Sequence, residues 1–424
     1  MGNLDYTQVL NKIENTRRFG NEPGVVVTAQ VIKVLREKGK QKRIIPYIHV
    51  AGTNGKGSVC AFFSSILKKE HMRVGTFVSP HLVDFEERIT VDGRMIPKED
   101  VTRLGNYLLD IDFGIGLTMF DYCLAMALLY FEEQQCDYMV IETGLGGRLD
   151  STNAIGTPQC AVITKIGYDH MAILGSDIAD IAAEKAGIIK ENGTVVVEQQ
   201  DKRAMQVIEQ EAKKKHARII TVEQSDIARC SGYALRLCGT FQWENAAAAE
   251  LAARYVLGKR YSGPEYEMQY DKTEPKSEKT DLNDRIKSAL EEAVWPGRME
   301  IVSKEPFLLV DGAHNSNGVD ALKESLMQMY PGEKFCFFMG VMADKDYDVM
   351  IREILPLAEE FYTVTPDSDR ALQASHLADF IRKEGVCATE LSGVDEISKH
   401  LKRDTKNVAF GSLYFIGELK QHRI

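Results

Sequence analysis

Short, nearly continuous apolar runs alternate along this chain with longer stretches whose apolar positions recur every three to four residues. The runs predict buried strands at Pro46–Val50, Val74–Ser79, Tyr138–Glu142, Ala161–Lys165, Thr194–Val197 and Ile219–Val222. Helical periodicity separates them, for example around Cys60–Lys69, Tyr122–Gln134 and Ile178–Lys190. The stretch NAAAAELAARYV, over Asn245–Val256, is made of strong helix formers. Alternating strands and helices predict an α/β architecture with mostly parallel sheet.

The pattern breaks between Gly258 and Asp284, where a polar, turn-rich segment with the charged centre YDKTEPKSEKTD reads as an exposed excursion. WPGR follows at Trp295–Arg298, a Pro-Gly breaker suited to a hinge. Beyond it a second α/β pattern begins, with candidate strands at Phe307–Val310, Lys334–Met339, Phe361–Thr365 and Asn407–Phe410. The expectation is therefore two domains, residues 1–297 (including the excursion 258–284) and a smaller one over 298–424. A length of 424 residues agrees with this, at roughly 150 residues per domain.

Composition narrows the function classes. With 44% hydrophobic and 27% charged residues the chain is ordinary globular material, not a disordered or collagenous one. The net charge of −10 disfavours a nucleic-acid or anionic-membrane partner. Eight scattered cysteines without a CxxC read as reduced thiols, mostly in the core, of a cytoplasmic protein. MGNLDYTQVLNKIENTRR has no apolar core of a signal peptide, and Tyr6 stands where a myristoylation signal wants Ser or Thr. The longest apolar run, Tyr122–Phe131, is about half a membrane span.

The first chemical signal is HVAGTNGKGSVCAFF. A strand runs into Gly52-Thr53-Asn54-Gly55-Lys56-Gly57-Ser58, and a helix follows. Glycines let backbone N–H groups wrap phosphate oxygens, and the helix N-terminus adds a positive dipole end. A lysine reaches the β- and γ-phosphates and a hydroxyl can hold Mg²⁺. The spacing departs from the strict Walker pattern, since Gly57 separates Lys56 from Ser58. A nucleotide-binding loop is nonetheless the reading, because strand, loop, lysine, hydroxyl and helix come in the required order.

Mg²⁺ wants hard oxygen ligands, and open α/β sheets gather ligands at the C-terminal ends of their strands. Glu142 ends YMVIE, Ser79 ends VGTFVS, and His170 lies just past a third strand in ITKIGYDH. Together they read as a metal site. Lys185, in DIADIAAEKAGIIK, falls on the apolar face formed by Ile178, Ile181, Ala182, Ile188 and Ile189. It either snorkels to solvent or is held inward for a reason, and spacing leaves both open.

HVAGTNGKGS, SPHL, ETGLGGRLDSTN, DHMAILG, EKAGI, WENAAAA, WPGR, DGAHN and GSLYFIGE stand here in an order that resembles the folylpolyglutamate synthase/dihydrofolate synthase family of the Mur ligase superfamily. The motifs run from about residue 46 to 418, and GLGGRLD followed by TN points to the folate branch. The resemblance implies an N-terminal P-loop ATPase-like domain, a C-terminal Rossmann-like α/β domain, and an ATP-dependent carbon–nitrogen ligase. ATP would phosphorylate a pteroate or folate carboxylate, and the amino group of L-glutamate would displace phosphate from the acyl phosphate.

The same resemblance implies residue roles. Thr53, Asn54, Gly55, Lys56 and Gly57 form the triphosphate cradle, with Ser58 the hydroxyl near the metal. Ser79, Glu142 and His170 ligate Mg²⁺, two ions being expected, and Lys56 and His170 join Lys185 as catalytic candidates. Lys185 matches a lysine that carries a carbamate. Asn245 matches a contact to the nucleotide base, while Arg298 and Asp311 complete the nucleotide site from the second domain, with closure about WPGR. His314 lies near the phosphates or substrate. Thr118, Phe120 and Asp121, and then Leu149, Asp150 and Ser151, match segments that contact the pteroate. RRFGNEPG (Arg17–Gly24) resembles a folate-contacting loop, and Arg88 and Arg148 are candidates for a basic patch facing the anionic tail. A cytoplasmic monomer working on small molecules is the implied setting. Two other readings are a P-loop nucleotide switch, which would leave DGAHN without a role, and a Mur-type ligase acting on another carboxylate.

Overall fold

In the computed structural model, residues 3–16, 20–261 and 281–422 are described. Arg17–Phe19 of the RRFGNEPG motif and residues 262–280 of the expected excursion lie outside the described residues. The excursion is also shorter than expected: the helix Phe241–Tyr261 runs through Gly258, and the next one, Leu282–Glu292, starts before Asp284.

The chain forms two compact units. One comprises Met1–His81, Phe85–Ala234 and Glu244–Ala293; the other comprises Leu82–Asp84, Leu235–Trp243 and Val294–Ile424. In this division Val294 begins the C-terminal segment of the second unit, and two short upstream segments join it. Packing explains this, because Leu82 and Phe241 are anchored in the apolar clusters of the second unit.

The first unit is built on an eight-stranded sheet. Its strands are β1 (Tyr47–Ala51), β2 (Val74–Phe77), β3 (Ile89–Val91), β4 (Arg94–Met95), β5 (Tyr138–Glu142), β6 (Cys160–Ile163), β7 (Thr194–Val197) and β8 (Arg218–Thr221). They lie in the order β4-β3-β2-β5-β1-β6-β7-β8. All pairs from β2 to β8 are parallel; β3 and β4 add an antiparallel edge. Every residue of β1, β2, β5, β6 and β7 is buried, as befits parallel strands covered by helices on both faces. Val27, Leu104, Phe131 and Ile141 belong to one apolar cluster of this unit, Ile163, Ile181 and Val195 to another. Central β1 pairs with β5 on one side (Val50 opposite Glu142) and β6 on the other (Ala51 opposite Ile163), so the loops leaving these strands emerge together.

The second unit carries a six-stranded sheet of β9 (Glu300–Lys304), β10 (Phe307–Val310), β11 (Phe335–Met339), β12 (Ala358–Thr363), β13 (Cys387–Glu390) and β14 (Lys406–Phe410). The order is β13-β12-β11-β14-β10-β9, parallel except for β9. Fully buried aromatic residues, Phe335, Phe337, Phe361 and Phe410 among them, fill one face. All eight cysteines are free; Cys387 is exposed, Cys238 half-buried, and the rest buried. Among the described residues no helix is long and apolar enough to cross a membrane.

Candidate active site

The loop leaving β1 is held open by its neighbours. Thr53 and Asn54 donate their N–H groups to the Lys165 carbonyl at 2.9 and 3.2 Å, and Thr164 Oγ1 donates to Asn54 O at 2.6 Å. The Thr53 hydroxyl both donates to Gly167 O and accepts from Gly167 N, each at 3.0 Å. Gly55 adopts φ +89°, a left-handed conformation open to glycine. A Cβ there would stand 2.3 Å from Asn245 Oδ1, so the Asn245 amide lies directly on the loop. The helix Lys56–Lys69 starts at once, with Ser58 buried in its first turn. Loop and helix end have the form of an anion cradle.

Lys56 Nζ donates to Gly52 O at 3.1 Å and Thr53 O at 3.3 Å and stands 3.9 Å from Glu142 Oε1. Glu142, buried at the end of β5, also accepts the Ser79 N–H at 3.3 Å. The structure thus brings Lys56, Glu142 and Ser79 together. Lys185 is held inward: it is buried, and its Nζ donates to Gly52 O at 2.9 Å. Burial first, and the neighbouring Lys56 second, push its pKa down to about 7.

His170 sits differently. It precedes the short helix Met171–Leu174 with φ +51°, is exposed, and its Nε2 lies 3.9 Å from Asp169 Oδ1. Among the described residues no group of three or more His, Cys, Asp or Glu side chains gathers as a metal site. Mg²⁺ nevertheless fits the donors present, since it needs only one or two carboxylates beside waters and phosphate oxygens. Buried Glu142, facing an ammonium and an N–H, is such a carboxylate, with the Ser79 and Ser58 hydroxyls as hard oxygen partners.

The pteroate candidates cluster, but their atoms are largely engaged. Thr118 caps the helix Met119–Glu133, with Asp121 completing the capping box. Asp121 Oδ2 accepts from Thr118 N and Oγ1 at 2.8 and 2.6 Å, and Oδ1 accepts from Ser151 Oγ at 2.6 Å and Thr28 Oγ1 at 3.4 Å. Asp150 accepts Gly144 N and Leu145 N at 3.0 and 2.9 Å on Oδ2, and Thr152 N at 3.0 Å on Oδ1. Both acids are buried braces of the fold. Phe120 stands edge-on to Phe77 with centroids 5.4 Å apart, and lies so close to Gly144 that a Cβ there would meet the ring at 2.7 Å. Leu149 is exposed, and its carbonyl accepts Val25 N at 3.1 Å. Phe120 and Leu149 are the members of this set with apolar surface to offer.

The two basic-patch candidates are occupied. Arg88 is buried and donates Nε to His81 Nδ1 at 2.8 Å; Arg148 is exposed but bonded to Glu184. In the second unit, Asp311 is buried, accepting Met299 N at 2.9 Å and Ala313 N at 2.8 Å. Burial raises its pKa against the pull of Arg298. His314 Nδ1 donates to Gly312 O at 2.8 Å, while Asn315 caps the helix Ser316–Met329 through Gly318 N. Asn245 lies inside its helix and is no N-cap.

Sequence reasoning missed His49, buried in the middle of β1, whose Nε2 lies 2.7 Å from Thr152 Oγ1. A histidine within an otherwise apolar buried strand was the available signal, because a buried polar group needs a partner.

Comparison with known proteins places this geometry. The Mur ligase middle domain matches residues 50–253, and the Mur ligase glutamate ligase domain matches residues 297–410. End to end, the chain is 33% identical over 454 residues to the dihydrofolate synthase/folylpolyglutamate synthase of Bacillus subtilis (strain 168), covering 98% of each chain. The chain belongs to the folylpolyglutamate synthase/dihydrofolate synthase family. It is accordingly an ATP-dependent carbon–nitrogen ligase. The Lacticaseibacillus casei folylpolyglutamate synthase is 30% identical over 383 residues, with 87% of each chain covered. Among solved structures, the Mycobacterium tuberculosis folylpolyglutamate synthase complexed with ADP and AMPPCP is similar with a TM-score of 0.83 at 25% identity, covering 99% of this chain and 98% of that one. E. coli FolC in complex with DHPP and ADP gives 0.80 at 26% identity, with 99% and 97% covered.

Proposed function

We propose that this enzyme joins L-glutamate to the carboxylate of dihydropteroate and of reduced folates, consuming Mg-ATP and releasing ADP and phosphate. The end-to-end similarity to the Bacillus subtilis protein, whose name carries both activities, supports this reading most directly. A carboxylate resists amines until one of its oxygens becomes a leaving group, so the γ-phosphoryl group is transferred to it first. Glutamate nitrogen then attacks the acyl carbon, the C–O bond to phosphate breaks, and an amide forms.

The residues divide this work. The N–H groups over Gly55–Ser58 and the Lys56 ammonium hold the triphosphate, replacing its water shell with fixed dipoles, while Thr53 and Asn54 shape the loop. Asn245 takes the base, with Arg298 and Asp311 assigned to the same nucleotide and His314 to the phosphates. Glu142, Ser58, Ser79 and His170 would hold Mg²⁺, which neutralises phosphate charge when bound. Phe120 and Leu149 offer the acceptor an aromatic and an apolar surface. Thr118, Asp121, Asp150 and Ser151 shape that pocket from behind.

Lys185 is read as a carbamate. Its amine, depressed to about 7, is about half neutral near pH 7. A neutral amine adds CO₂ and loses one proton, turning a cation that would repel Mg²⁺ into an anion that can bind it. We read the enzyme as a cytoplasmic monomer, so it should elute at the mass of one 47.5 kDa chain.

The test is phosphate release from Mg-ATP and L-glutamate, with dihydropteroate and tetrahydrofolate as separate acceptors. Release that needs glutamate and occurs with either acceptor is the expected result. Release with one acceptor alone restricts the enzyme to that activity. Equal release without glutamate or acceptor would overturn the ligase reading.

A further inference from the structure

His49 lies on β1, ahead of the phosphate loop, yet its side chain serves a different loop. Its Nε2 is 2.7 Å from Thr152 Oγ1, a residue 103 positions away, and both are fully buried. The Thr152 hydroxyl is also hydrogen-bonded to Asp150 Oδ1. Three backbone N–H groups, of Gly144, Leu145 and Thr152, already aim at the Asp150 carboxylate, which therefore acts as acceptor throughout.

Proton counting then fixes the direction of the chain. A threonine hydroxyl has one proton, and here it goes to Asp150. His49 must consequently donate its own proton from Nε2 to Thr152 Oγ1. That leaves Nδ1 as a bare lone pair, and Nδ1 is indeed a buried atom without a partner among the described residues. An orphaned acceptor is the cheaper alternative, since an orphaned N–H in the other tautomer would be the rarer defect. The ring is neutral in this setting, because burial and Lys190 push its pKa down to about 3.

The far end of this relay is functional ground. Gly144 and Leu145 stand two and three residues after Glu142; Gly144 lies against the Phe120 ring, and Arg148 N of the same loop donates to Glu184 O at 2.7 Å, one residue before Lys185. We propose that His49 is a positioning residue for the ligase reaction: through Thr152 and Asp150 its Nε2–H fixes the loop between Glu142 and Leu149, and so shapes the acceptor side of the site. This rests on the ligase reading given above. It separates acceptor from nucleotide, because the ATP loop has its own braces at Lys165, Gly167 and Thr164.

The experiment compares His49→Leu and His49→Gln in the full-length enzyme by steady-state kinetics. A glutamine amide can place an N–H donor where imidazole Nε2 stands; leucine cannot. His49→Leu is expected to raise KM for the pteroate or folate acceptor about tenfold, the worth of one lost buried hydrogen bond, with KM for ATP within twofold. His49→Gln should restore the acceptor KM to within about threefold of wild type. Equal impairment of both variants, or a parallel rise in KM for ATP, would overturn the proposal, as would a folded His49→Leu enzyme with unchanged constants. Should His49→Leu fail to fold, Thr152→Val breaks the same relay at the next link and is read against the same expectations. Imidazole ¹⁵N spectra of the wild type give an independent check: the proton belongs on Nε2, and an Nδ1–H ring sinks the relay. A wild type with no glutamate-dependent phosphate release would instead strike at the ligase reading, and the spectra would still decide the tautomer.

Discussion

Lys56 and Lys185 donate to one oxygen, the carbonyl of Gly52, at 3.1 and 2.9 Å. Two ammonium groups on one acceptor repel each other, and the buried partner is the one that yields its proton. Lys185 is buried and Lys56 half-buried with Glu142 nearby, so the neutral amine falls to Lys185. A carbamate at Lys185 would turn that repulsion into attraction.

This gives a dependence on pH and dissolved CO₂. With the Lys185 pKa lowered from 10.5 to about 7, the reactive neutral fraction rises as pH climbs through 7. Only roughly a tenth is neutral at pH 6 and about nine-tenths at pH 8. At equal dissolved CO₂, CO₂-stripped enzyme should therefore be activated faster at pH 8 than at pH 6, by close to that ratio. Lys185→Ala should lose activity and regain part of it with a small added carboxylate. Wild-type turnover by Lys185→Ala without any additive would end the carbamate reading.

Glu142→Ala should lower turnover by at least about a hundredfold, because the carboxylate is assigned to the metal at the phosphoryl group. The fold should survive, since Glu142 ends its strand and makes no apolar contribution to the core. Turnover is measured at saturating Mg-ATP alongside a thermal melt. Near-normal turnover in a folded variant would remove Glu142 from the metal site.

Gly55→Ala places a Cβ 2.3 Å from Asn245 Oδ1 and forces a side chain into φ +89°. The backbone cost alone is on the order of 1–2 kcal/mol, and the clash displaces the amide assigned to the base. KM for ATP should rise tenfold or more, with KM for glutamate little changed. Titration with a fluorescent ATP analogue reads the loss directly, and wild-type affinity would contradict the loop geometry.

His49 makes the native state sensitive to acid. Its pKa is lowered from 6.5 to about 3, so the unfolded chain takes up a proton near 6.5 and the native one near 3. Stability from this group is complete above 6.5 and is lost as pH falls toward 3. The span amounts to at most about 5 kcal/mol. His49→Gln has no such proton to take up. Urea midpoints at pH 7 and pH 4 should draw closer together in the variant than in wild type; an identical difference in both proteins would refute the shift.

The sequence alone carried the central strands, the helix after the phosphate loop and the family. Buried parallel strands are continuous apolar runs, and a phosphate loop needs its glycines, lysine and hydroxyl within a few consecutive residues, so both signals are local. It did not carry the edges of the sheets. β3, β4, β9 and β13 are short or partly exposed, and without an apolar run on both faces they have no distinct pattern. Nor did it settle which polar residues are braces. Asp121, Asp150 and Arg88 look like ligands in a motif, yet their atoms are claimed by Ser151, Gly144 and His81. Long-range partners decided the rest: Thr28 meets Asp121 across 93 positions and His49 meets Thr152 across 103. Whether a polar atom is free for a substrate depends on what the folded chain brings within 3 Å of it, and only tertiary structure determines that.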